Sequence, residues 1–256
     1  ARGALDLAAR APADSATTRA LLPVRVRALA ALGRPDEAEA LVRGAAAGVD
    51  DSDRARLRRD VAWGWVRAGD VPRARAALAA SGGSGGDEDA EGWLALYDGD
   101  LATARRKLAR STEASWALVT ARALLARSRA DRAPAAGEAF LLLARGDTAR
   151  AAARFAEAGQ ALPDAAPLLV AVAARLHAAR HDDSGAISLW ERIVTQYASA
   201  PEAPEADLEW GRALERRGAT AGAAQRFEHL ILTYPESALV PQARRELERT
   251  KNQTSS

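Results

Sequence analysis

Cysteine is absent, so the chain can form neither a disulfide framework nor a thiolate metal site, and it carries no cysteine nucleophile. Lysine is nearly absent too: Lys107 and Lys251 are the only two, and the rest of the basic side of a net charge of +2 is arginine. That balance is too small to imply nucleic acid by itself, whereas planar guanidinium groups suit carboxylates and phosphates. Isoleucine occurs only at Ile187, Ile193 and Ile231, so strands have little to be built from. No apolar run approaches the roughly 20 residues of a bilayer span; the stretches 140–144 and 167–174 are among the longest. No methionine opens the chain and its first residues read as mid-helix, so a further segment upstream is expected.

What is present is helix-forming. The 256 residues are 48% hydrophobic, chiefly Ala and Leu, which is ample for a continuous core. A turn residue followed five positions later by Ala, and four further on by a large apolar residue, recurs six times. The instances are Gly33, Ala38 and Val42; Gly69, Ala74 and Leu78; Gly99, Ala104 and Leu108; Gly146, Ala151 and Phe155; His181, Ala186 and Trp190; Gly218, Ala223 and Phe227. Their spacings are 36, 30, 47, 35 and 37 residues, the period of a helical solenoid whose helix pairs bury their apolar faces by stacking. The glycine is expected to end one helix in a left-handed cap, the Ala to admit close approach, and the large residue to fill the space between helices.

The unit around Gly211, Leu214, Gly218, Ala223, Phe227 and Pro235, and a second with Ala139, Gly146, Ala151, Phe155 and Pro163, resemble the tetratricopeptide family. The unit between them has Ala174, Ala186 and Trp190 but departs at His181 and Ala198. The last two units also share Tyr197, Pro204 and Ala206 against Tyr234, Pro241 and Ala243, a style similar to bacterial cell-envelope members. The resemblance implies an all-α fold, a right-handed superhelical solenoid of antiparallel helix pairs. It weakens toward the N-terminus, where the exit proline is lost. The expected organisation is degenerate helix pairs over 1–110 starting mid-repeat, and an extra or lengthened helix within 111–131 followed by a loop containing Pro134. Regular repeats with a final helix then fill 132–251, and 252–256 form a disordered tail. Ala1, Leu5 and Pro12 read as the second helix of a unit, and residues 81–89 as a flexible linker.

Little catalytic chemistry is written here. Gly82, Ser84 and Gly86 match a nucleophile elbow in letters only, without the strand and helix that strain its serine. No phosphate-binding loop or dinucleotide fingerprint is present, and no cofactor is expected. His177 and His181 share a helical face beside Asp182 and Asp183, the best metal candidate, set against a helix-terminus role. The acidic clusters at 50–53 and 87–89 fall where helices begin and read as caps.

Function is therefore sought on the surface. In the resembled family the first helix of each pair lines a concave face, which carries over to Arg27, Arg56, Arg59, Trp63, Arg67, Trp93, Tyr97, Arg175, Arg212 and Arg216. Such a groove suits a partner protein or acidic peptide; alternatively the arginines form a solvated face and Trp63 and Trp93 are core. The Lys and Asn clamp of chaperone-docking members is missing, since Asn252 is the only asparagine. The expected function is a non-catalytic interaction scaffold, periplasmic or otherwise in the cell envelope, with the cytoplasm as the alternative compartment. The competing readings are the superhelical arm of a larger cell-wall enzyme, a structural subunit of an envelope complex that exposes an apolar face near Ala4, Leu5 and Ala8, and an RNA binder. The RNA reading has basic clusters at 54–59 and 105–110 but no recurring base-reading pair.

Overall fold

The computed structural model describes residues 1–3, 5–6, 15–45, 49–81, 88–112 and 114–254. Among them are fourteen α-helices and no strand. They are α1 (Ser15–Ala31), α2 (Pro35–Gly44), α3 (Asp51–Ala68), α4 (Val71–Ala79), α5 (Glu88–Tyr97), α6 (Leu101–Leu108) and α7 (Trp116–Arg127). There follow α8 (Pro134–Ala144), α9 (Thr148–Ala161), α10 (Ala166–Ala179), α11 (Asp183–Gln196), α12 (Ala203–Arg216), α13 (Thr220–Thr233) and α14 (Val240–Thr254).

The six turns are one device repeated. Gly33, Gly69, Gly99, Gly146 and Gly218 have φ between 69° and 76°, and His181 takes the same place at 60°. Around Gly69, its own N–H reaches the Val66 carbonyl at 3.1 Å and the Asp70 N–H reaches Trp65 at 3.0 Å, the paired bonds of a Schellman cap. The same pair recurs at Gly33, Gly99, His181 and Gly218. In four turns the next residue is an aspartate that caps the following helix: Asp70, Asp100, Asp147 and Asp182 each accept from the backbone N–H three residues on. Within each unit the helix after a turn packs on the helix before it, as α2 does on α1, α4 on α3, α6 on α5, α11 on α10 and α13 on α12. Ala38, Ala74, Ala104, Ala151, Ala186 and Ala223 are all fully buried. A Cβ placed on Gly211 would stand 2.5 Å from the ring of Phe227, so the missing side chain is what admits that ring.

Two compact units form, Ala1–Arg122 with Phe140–Gly146, and Ala123–Ala139 with Asp147–Ser256. In the first, α1 packs on α2 and α3, α3 on α4 and α5, and α5 on α6. In the second, each of α9 to α13 packs on its successor, and α10 also meets α12. The apolar run expected between 167 and 174 lies in α10, and Leu168 to Ala174 are all buried.

The helix expected within 111–131 is α7. Pro134, expected in the loop after it, is instead the first residue of α8, where its fixed φ fits and its missing N–H costs nothing. The closing helix reaches Thr254, three residues into the stretch read as a tail, with Lys251 bonded to Glu228 at 2.8 Å. The glycines of the expected linker, together with Ala4, Ala8 and Pro12, lie outside the described residues. No helix among the described residues is long and apolar enough to cross a membrane.

Candidate functional site

Counting back six residues from each turn gives one column on the first helix of every pair: Arg27, Trp63, Trp93, Phe140, Arg175 and Arg212. The middle three are aromatic and the flanking three are arginine, and this change of chemistry sets the candidate site.

In the first unit Trp93 and Phe140 meet edge to face with centroids 6.2 Å apart, and Tyr97, one turn on from Trp93, lies 5.9 Å from its ring. The Arg67 guanidinium lies over Trp63 at 5.6 Å. With Val66, Leu143 and Ala144 these side chains line an open hollow of about 300 Å³. Trp93 and Tyr97 are only 4% and 9% exposed, so little of either ring is open to the hollow, and Trp63 is half-buried. Four of the sequence-selected residues, Trp63, Arg67, Trp93 and Tyr97, thus share one cavity. Phe140 was not selected; its signal was the same six-residue offset from the turn.

Arg56, Arg59, Trp63 and Arg67 follow one another at three- and four-residue steps and so share a face of α3. Among the described residues Arg56 and Arg59 make no ion pair. Arg27 differs, because it bonds Asp60 of α3 at 3.0 Å.

The second unit places its selected arginines in carboxylate rungs. Arg175 makes a two-pronged contact with Glu205, Arg212 bonds Glu209 at 2.7 Å and Glu246 at 2.9 Å, and Arg216 bonds Asp183 at 2.6 Å. Burial opposes the charge on Arg212, but its bonds to Glu246 and Glu209 outweigh that and raise its pKa. The bond to Asp183 does the same for Arg216. Partly exposed pairs of this kind contribute at most about 1 kcal/mol each, so they align successive helices more than they stabilise them.

His177 and His181 do not converge on a metal. His177 Nδ1 lies 2.7 Å from Asp182, whose other oxygen accepts the Gly185 N–H, while His181 is exposed in its turn. The Gly185 N–H first, and His177 second, hold the Asp182 carboxyl below its ordinary pKa. Among the described residues no three His, Cys, Asp or Glu side chains are grouped so that they could hold a metal ion. Asp50, from the first acidic cluster, caps α3 by accepting the Asp53 N–H at 2.8 Å.

One polar cluster was not anticipated. Asp207 of α12 is 0% exposed and lies 2.5 Å from His229 Nδ1 and 3.5 Å from Arg226, which itself stacks over Trp210 at 4.4 Å. Burial raises the Asp207 pKa against the pull of His229 and Arg226.

Comparison with protein-family models, with curated proteins and with solved structures finds no match to this chain.

Proposed function

We propose that the chain is a non-catalytic protein-interaction scaffold, a solenoid of tetratricopeptide-like helix pairs that holds a segment of a partner polypeptide against its first helices. The observation that carries this reading is the column at six residues before each turn. Where it is arginine it is bonded to carboxylates of the fold, and where it is aromatic it borders an open hollow. Aromatic anchors bordered by arginine are the composition of protein-binding surfaces. The tyrosine and proline pattern shared by the last two units favours a cell-envelope setting.

A photo-crosslinking residue in place of Leu143, on the hollow's wall, is expected to trap one discrete polypeptide from an extract of the source cells. Trp63→Ala is expected to weaken that adduct at unchanged helicity. No adduct, or the same adduct from a probe at exposed Gln225 in the second unit, would overturn the reading.

A further inference from the structure

We infer that the segment held by the first unit is acidic and linear, with one bulky apolar side chain as its anchor, and that its carboxylates bind Arg59 and Arg56. The inference rests on the scaffold reading and adds the partner's chemistry. The hollow is lined mainly by apolar and aromatic groups, and at about 300 Å³ it has room for one large side chain. Trp63 is the half-buried aromatic on its edge, and Arg67 over that ring leaves the mouth positive.

Charge then gives the direction. Among the described residues neither Arg56 nor Arg59 makes an ion pair, and Asp60, on the same face of α3, is bonded to Arg27 instead. Arg59 precedes Trp63 by four residues and Arg56 by seven. At ~1.5 Å of helix rise per residue they lie about 6 and 10 Å from the anchor site along the axis. An extended chain advances ~3.3 Å per residue, so the matching carboxylates fall about two and about three residues from the anchor. A single-stranded nucleic acid fits less well, because Trp93 and Tyr97, only 4% and 9% exposed, leave little ring area on which a base could stack.

The test uses the whole chain and fluorescent ten-residue peptides with one Phe and carboxylates two and three residues from it, made in both chain directions. At least one direction is expected to bind. Changing Phe to Ala, or the acids to Lys, should weaken binding about tenfold or more, and raising salt should weaken it steeply. The variant Arg56→Glu with Arg59→Glu, checked for unchanged helicity, should lose the acidic peptide and gain the lysine peptide. The inference is overturned if the acidic and lysine peptides bind alike, if the double variant binds as the parent does, or if an oligouridylate of ten nucleotides binds more tightly. Should the Leu143 probe still trap a polypeptide whose binding ignores the double variant, the scaffold reading stands and only the acidic partner falls. With no polypeptide trapped, the scaffold reading itself fails.

Discussion

Gly211→Ala adds one methyl group at the contact between α12 and α13, and two opposing effects decide its sign. Ala is preferred over Gly inside a helix by ~1 kcal/mol. Against this, the new Cβ would stand 2.5 Å from one atom of the Phe227 ring and 2.9 Å from two others, where an ordinary contact is near 3.5–4 Å. Phe227 is fully buried beside Ala223, Leu230 and Val240, so the ring can yield only by displacing them. Overpacking of this kind costs ~1–3 kcal/mol, so the expected net is a loss of about 1 kcal/mol. For a chain of this size such a loss lowers the midpoint of thermal unfolding by about 2–4 °C. The matched control is Gly159→Ala in α9, where the nearest atom is Val170 Cγ2 at 3.4 Å, an ordinary contact. It keeps the propensity gain without the clash and should leave the midpoint unchanged or raise it. Both are read by circular dichroism during heating and in urea. Phe227→Leu in the Gly211→Ala background should be less damaging than in the parent, because the ring edge that the methyl strikes is gone. A Gly211→Ala midpoint at or above that of the parent would refute the argument that the ring needs a bare backbone.

His181→Gly should stabilise the chain by up to ~1 kcal/mol, since a left-handed residue other than glycine carries a steric cost; an unchanged or lower urea midpoint would count against it. Asp207 gives a pH test. Its pKa is raised in the folded state, so the folded chain holds that proton more tightly than the unfolded chain does. Its contribution therefore favours folding at low pH and is lost as pH rises from the ordinary carboxylate value through the raised one. Asp207→Asn should flatten that part of the stability profile, measured as urea midpoints across the acid range, and a profile of unchanged shape would exclude the role.

The turns were legible because each needs what only a few residues supply, a left-handed φ, and glycine at five of the six, followed by aspartate at three of those, states it locally. The column was read in Trp63 and Trp93 but not in Phe140, although the same six-residue offset from the turn at Gly146 marks it. Whether an arginine on that column is paired could not be read at all. Arg27 and Asp60, Arg175 and Glu205, and Arg212 and Glu246 are 33, 30 and 34 residues apart, so each pairing depends on how one helix pair rests on the next. Asp207 was missed for the opposite reason. Aspartate near a helix start reads as surface or cap, and its burial shows only once His229, 22 residues on, is brought across from α13.

The Schellman turns also bear on the order in which the chain acquires structure. Each reversal is set by backbone bonds that span no more than five residues, and the pairs α1–α2, α3–α4, α5–α6, α10–α11 and α12–α13 each close within a few dozen residues. Contacts of such short range cost little loop entropy and form quickly. A hairpin of this kind can close while the rest of the chain is still being synthesised, so within each unit the sequence of emergence from the ribosome also serves as a sequence of assembly.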